Sequence, residues 1–181
     1  MERSITQIAL FAALIAALGL IPQLTLAFGV PITAQSLGVM LCGTVLGSQR
    51  GALAALLFVG LVALGLPLLS GGRGGLGQFV VPTSGFLIGF PVAAFVTGLV
   101  MERLGGLHVA WAAGIAAALG GIVVLYIFGI SGLAIALDRP VTEAALLVTA
   151  FIPGDVIKAV LAGLVTAALY RARPHSVMSR P

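Results

Sequence analysis

Residues 4–49 read SITQIALFAALIAALGLIPQLTLAFGVPITAQSLGVMLCGTVLGSQ and contain no Asp, Glu, Lys or Arg. One helical crossing of a bilayer needs about 20 residues, so this uncharged run is too long for a single pass. Pro22, Gly29 and Pro31 interrupt it, and proline both removes a backbone donor and clashes with the preceding helical turn. The run therefore predicts two membrane helices, at about residues 5–20 and 33–46. The first could be mistaken for a secretory signal, but it lacks a small-residue cleavage site and the chain beyond it is equally apolar. It is expected to stay as helix 1.

The rest of the chain has the same character. Of its 181 residues, 60% are hydrophobic and only 8% charged, with a mean hydropathy of +1.22. A soluble domain carries about a quarter charged residues, so lipid is the expected solvent. The pI of 10.2 does not indicate nucleic-acid binding, because the basic residues stand singly and form no patch. The lone Cys42 excludes an internal disulfide and a cysteine metal cluster, and reads as a small buried hydrophobe.

Breakers locate the remaining helices. Ser48, Gln49, Arg50 and Gly51 read as a polar turn. Helix 3 then covers about 52–66 and stops at Pro67. The glycine-rich run Ser70-Gly71-Gly72-Arg73-Gly74-Gly75-Leu76-Gly77 is a poor helix former. Helix 4 is expected at about 84–103 and helix 5 at about 107–131. A polar break follows at Asp138-Arg139-Pro140, and Thr142 could cap a short helix to about 150. Pro153 suits the first turn of helix 6, which runs to about 170, and the basic tail 171–181 is expected to be disordered. The fold class is thus an all-α integral membrane protein, one six-helix domain over 1–173 with a basic cytoplasmic tail at 174–181.

Six passes put Arg3, Arg50, Arg103, Arg171, Arg173 and Arg180 on one side and only Arg73 and Arg139 on the other. That bias places both termini in the cytoplasm, whereas five passes would destroy it. The opposite, outer face collects three irregular segments, at 22–31, 70–77 and 138–153. Non-helical backbone at a membrane face is tolerated where it lines a cavity, so these segments could wall a pocket.

Chemistry concentrates in Ile152-Pro153-Gly154-Asp155-Val156-Ile157-Lys158. The i, i+3 spacing puts Asp155 and Lys158, the only lysine in the chain, on one helix face. Charges inside a membrane cost about 2.5–3.5 kcal/mol each and usually pair or line a cavity. The pair could simply lock helix 6. It could also clamp a neutral group offering N–H and C=O together, such as a cyclic urea or amide, and one pair can do both. Gln35, Gln78, Thr83 and Ser84 add polar groups at the same face, and Arg73 could meet a ligand carboxylate. Ala9 and Ala13 on helix 1 form a small-xxx-small face that allows close helix approach. Enzyme signatures fail. No phosphate-binding loop is present. Gly129-Ile130-Ser131-Gly132 has the look of an intramembrane protease serine, but the only later histidine is His175 in the tail, too far along to serve as its base. His108 stands alone.

The glycine run, the following Val81-Pro82-Thr83-Ser84-Gly85-Phe86-Leu87-Ile88-Gly89-Phe90, the Pro-Gly-Asp-x-x-Lys block and Pro31-Ile32-Thr33-Ala34-Gln35 together resemble the signatures of the BioY family. These proteins are the biotin-binding S components of energy-coupling-factor (ECF) vitamin transporters. The resemblance covers nearly the whole chain, although Val81, Ser84 and Phe86 stand where Gly, Gly and Tyr are common. It implies a multi-pass protein of the bacterial cytoplasmic membrane that is not an enzyme and needs no cofactor. Biotin would be its transported ligand, held near the outer face. It implies that Asp155 and Lys158 bind the ureido ring and that loop residues, here Gly71, Gly72, Gly74 and Gly75, close over the ligand; Gln35, Arg73, Gln78 and Thr83, at the same face, are the weaker candidates for ring or carboxylate contacts. It also implies a coupling transmembrane subunit with two ATPases, docking on Ala9 and Ala13. An S component for another vitamin and an intramembrane enzyme are the alternatives.

Overall fold

The computed structural model describes residues 2–25 and 31–180, with side chains described over 4–23 and 33–180. Most of the segment between Pro22 and Pro31 that was expected to wall a pocket lies outside the described residues. Helices dominate: α1 (Glu2–Leu18), α2 (Gln35–Leu46), α3 (Ser48–Ala63), α4 (Ser84–Arg103), α5 (Val109–Ala118), α6 (Leu125–Leu137), α7 (Val141–Thr149) and α8 (Ile152–Ala172). A two-residue antiparallel ladder, β1 (Leu24–Thr25) with β2 (Pro31–Ile32), closes the turn between α1 and α2. Three helical stretches, 84–103, 109–137 and 152–172, are long and apolar enough to cross a membrane. The apolar stretches 4–18, 35–46 and 48–63 are shorter.

Helix α4 sits at the centre, packed against α2, α3, α5 and α6, while α8 packs on α5 and α2, and α1 on α3 and α2. The core between α1, α2, α3 and α4 is built from Ile15, Val39, Leu46, Phe58, Val62, Leu87 and Phe90, with the Phe58 and Phe90 rings 6.2 Å apart. Trp111, Ile127, Ile135, Leu146 and Ile157 instead face outward. Such a coat is costly in water and suited to hydrocarbon.

Small residues set the helix spacing. A Cβ at Gly132 in α6 would stand 2.7 Å from the Cα of Gly85 in α4, so the two backbones touch at the start of α4. Without a hydrophobic drive between helices in lipid, such contact is a main source of cohesion.

The polar run at 48–51 is not a turn. It is the first turn of α3, and Gly47, at φ +85°, makes the whole corner between α2 and α3. The reason lies on another helix. The Glu102 carboxylate of α4 accepts the Ser48 N–H at 2.7 Å and the Ser48 hydroxyl at 3.1 and 3.0 Å, an acidic cap on a buried helix start. Helix 5 runs on as helix to Leu137 rather than stopping near Ser131, whose hydroxyl is turned back onto the Ile127 carbonyl at 2.7 Å. Asp138, at φ +50°, ends it. Thr142 does not cap α7, which starts at Val141 behind Pro140. Pro153 does stand in the first turn of α8.

The tail expected to be disordered is packed. Residues 174–176 form a 3-10 turn, and Val177 and Ser179 are each 1% exposed. The N–H groups of Met178 and Ser179 donate to the Val45 carbonyl at the end of α2, at 2.7 and 3.2 Å, and the Ser179 hydroxyl donates to the Thr44 carbonyl. The Arg180 guanidinium donates to the carbonyls of Leu104, Gly105 and Leu107 after α4. The tail thus caps the end of α2 and fastens the turn that follows α4. Deleting 177–181 should cost about 2 kcal/mol, a fall of roughly 4–8 °C in unfolding temperature. An unchanged thermal unfolding curve in detergent would refute the capping role.

Candidate functional site

One pocket of about 740 Å³, including its open mouth, lies where α2, α4 and α8 begin and α6 passes beneath. Thr33, Gln35 and Ser36 reach it from the start of α2, and Leu69, Arg73 and Gln78 from the glycine-rich segment. Thr83, Phe86, Leu87 and Phe90 come from α4, Leu125 from α6, and Phe151, Asp155 and Lys158 from the start of α8. All six residues expected to contact a ligand, Asp155, Lys158, Gln35, Arg73, Gln78 and Thr83, therefore line a single cavity. A mostly apolar wall with a few converging polar groups is the usual form of a small-molecule site.

The charged centre is closely bonded. Lys158 Nζ lies 2.8 Å from Asp155 Oδ1, and both side chains are largely buried. The same ammonium donates to the Thr33 carbonyl at 2.6 Å and to Ser36 Oγ at 3.0 Å. Asp155 Oδ1 also accepts from Ser36 Oγ at 3.5 Å, and Oδ2 accepts from the Tyr126 hydroxyl at 2.7 Å. Ser36 and Tyr126 are site residues that the sequence reading missed. Ser36 follows Gln35 directly and shares its end of α2. Tyr126, in a long apolar helix, offers no local signal.

Gln35 is placed at the wall, yet its amide is committed elsewhere. Nε2 donates to the carbonyls of Ile15 at 3.2 Å and Leu68 at 3.1 Å, and Oε1 accepts the Ser70 N–H at 3.1 Å. It ties the end of α1 and the base of the glycine-rich segment to α2. Gln35→Leu would take their side-chain partner from the Leu68 carbonyl and the Ser70 N–H, while the Ile15 carbonyl keeps the Gly19 N–H, and should destabilise the protein by about 2–4 kcal/mol. Thermal unfolding, with proteolysis of residues 70–77, reads both consequences; no change in either would exclude the pinning role.

The glycine-rich segment is a set of tight turns. Leu69 pairs with Arg73 across a short bridge, and Gly71, Gly72 and Gly75 all adopt positive φ. The Gly75 N–H donates to the Val62 carbonyl at 2.7 Å, anchoring the segment to α3. Gly74 packs against the backbone of Leu66. Arg73 Nε donates to the Ser70 carbonyl at 3.1 Å, while its terminal nitrogens keep donor capacity at the pocket. Ala9 and Ala13 are far from the pocket contacts and exposed on the outer face of α1, whose inner face buries Ala12 and Ile15. His108 serves its own helix, accepting the Ala110 N–H at 3.3 Å as the cap of α5.

A sequence model of the BioY family matches residues 2–175. The chain belongs to the BioY family. Within it, the chain is 56% identical over 189 aligned residues to the biotin transporter BioY of Rhodobacter capsulatus, covering 99% of this chain and 100% of that one. It is 41% identical to the probable biotin transporter BioY of Bacillus subtilis, over 91% and 89% of the two chains. Each is named as a transporter rather than an enzyme. The fold matches the crystal structure of the S component for biotin from an ECF-type ABC transporter, with a TM-score of 0.88 at 29% identity, over 94% of this chain and 92% of that one. The BioY fold thus places the Asp155–Lys158 pair, the α4 aromatics and the glycine-rich segment around one cavity.

Proposed function

We infer that this BioY protein captures biotin and carries it across the membrane as the substrate-binding subunit of an ECF-type transporter. The observation that carries the reading is the buried Asp155–Lys158 pair opening into a pocket that sets Leu69, Phe86, Leu87, Phe90 and Phe151 beside a handful of polar side chains. A cyclic urea offers two N–H donors beside one carbonyl acceptor. A carboxylate next to an ammonium offers the complement. Asp155 would accept from the ureido N–H groups and Lys158 would donate to the carbonyl. The ring sulfur and valerate chain would lie against Phe86, Phe90, Leu69 and Phe151, and the ligand carboxylate would meet Arg73, with Gln78 and Thr83 as polar neighbours.

The wider arrangement is proposed on the same basis. Six crossings of a bacterial cytoplasmic membrane result if α1, α2, α3, α4, the α5–α6 rod and α8 each span, with α7 lying between the last two at the outer face. That assignment keeps the arginine bias on the cytoplasmic side. Gly71, Gly72, Gly74 and Gly75 would let the segment close over bound biotin. The exposed Ala9–Ala13 face of α1 would admit the coupling transmembrane subunit, which works with two ATPases. Competition calorimetry with a panel of vitamins tests the ligand. Biotin should displace all others, and tighter binding of another vitamin would overturn the assignment. Co-purification with the coupling subunit and ATPases tests the partner, and Ala13→Leu should abolish it while leaving biotin binding intact.

A further inference from the structure

The long helix from Val109 to Leu137 is not uniform. Residues 119–124 form a π turn. The Leu125 N–H donates to the Gly120 carbonyl, five residues back, where an α-helix would use the fourth. Such a turn holds one extra residue and rotates everything beyond it by about 100°. Two glycines admit the widened turn. A Cβ at Gly120 would press on the Ala93 carbonyl of α4 at 2.6 Å, and one at Gly121 on the Met40 side chain of α2 at 2.5 Å.

Just beyond the turn, the Tyr126 hydroxyl lies 2.7 Å from Asp155 Oδ2. Tyr126 is not part of the pocket wall; it stands behind Asp155. Its ring is held edge-on by Phe86 at 6.4 Å between centroids, and Phe86 is held in the same way by Phe151 at 6.2 Å. The Asp155 carboxylate is thus gripped from both ends, by Lys158 and Ser36 on Oδ1 and by Tyr126 on Oδ2.

We propose that Tyr126, aimed by the π turn at 119–124, is a positioning residue of the binding site that fixes the rotation of the Asp155 carboxylate and thereby its affinity for a ligand N–H. The proposal rests on the reading that Asp155 receives the ureido N–H groups. Without the Tyr126 bond, the carboxylate can turn about its last torsion, and the lone pair facing the cavity is no longer held in one direction. The phenol itself never touches the ligand, so its effect passes entirely through Asp155.

The test compares wild type, Tyr126→Phe, Asp155→Asn and the double variant as purified proteins. Binding of biotin and of biotin methyl ester is read by calorimetry and, for weak variants, by the rise in unfolding temperature at high ligand concentration. Tyr126→Phe retains the ring against Phe86, and its unfolding temperature without ligand reads folding separately. Tyr126→Phe should weaken both ligands by the same factor, about tenfold. The double variant should bind within about twofold of Asp155→Asn alone, since coupled residues are non-additive. Tyr126→Phe at wild-type affinity, a full further loss on the Asp155→Asn background, or a loss for the acid that spares the ester would each overturn the proposal. Wild-type affinity in Asp155→Asn alone would instead overturn the reading of the site.

Discussion

Asp155→Asn should weaken biotin binding by about 10- to 100-fold, the expected loss when a charged hydrogen bond is removed from a buried site. The amide keeps the size of the carboxylate but turns one acceptor into a donor. That donor then faces either the Tyr126 hydroxyl or the incoming N–H groups. Lys158→Ala should weaken binding at least as much, and it should also lower stability by about 3–5 kcal/mol, because it strands the buried Asp155 carboxylate without its cation. Calorimetry on detergent-purified protein reads the affinities and thermal unfolding the stability. If both variants bind biotin within a factor of about three of wild type, the pair is a structural lock and the ligand is held elsewhere.

The second large effect involves no polar group. Gly132→Val places a branched side chain where α6 meets the backbone of α4 at Gly85. Neither side of the contact is a flexible side chain, so the helices must separate. The cost should reach or exceed the about 1–3 kcal/mol of ordinary overpacking. The start of α4 carries Thr83 and Phe86, and α6 carries Leu125 and Tyr126. Separation therefore widens the pocket between its aromatic wall and its charged centre. Unfolding temperature should fall, and biotin affinity should drop about tenfold or more by loss of wall contacts. Serine at the same position is the control for side-chain size and should have a smaller effect on both. Equal, wild-type behaviour of both variants would mean that the close approach does not position the site.

Much of this was legible in residue order. Proline and glycine marked the breaks, and helix α4 begins and ends where Ser84 and Arg103 suggested. The Asp155–Lys158 spacing located the centre of the site, because a charge inside an apolar helix is costly enough to demand a partner nearby. The failures share a cause. The start of α3 depends on Glu102, the order of the tail depends on Val45 and the carbonyls of the turn after α4, and Tyr126 depends on a π turn whose two glycines pack tightly against α4 and α2. Gln35 does line the pocket, and the further bonds of its amide to α1 and the residues around Ser70 were not legible. Each of these is a contact between segments distant in sequence, and no local pattern encodes it.

The three donors of Lys158 already have acceptors at Thr33, Ser36 and Asp155. An ammonium has only three N–H groups, so a ligand carbonyl can enter only by exchange, taking the place of one of them. Exchange of one good acceptor for another releases little net enthalpy. On the proposed reading the charged centre would work as a filter: it would reject molecules that cannot replace what they displace, while the apolar side chains would supply most of the free energy of retention. Trimming the ligand's hydrocarbon should therefore slow its capture less than it hastens its escape.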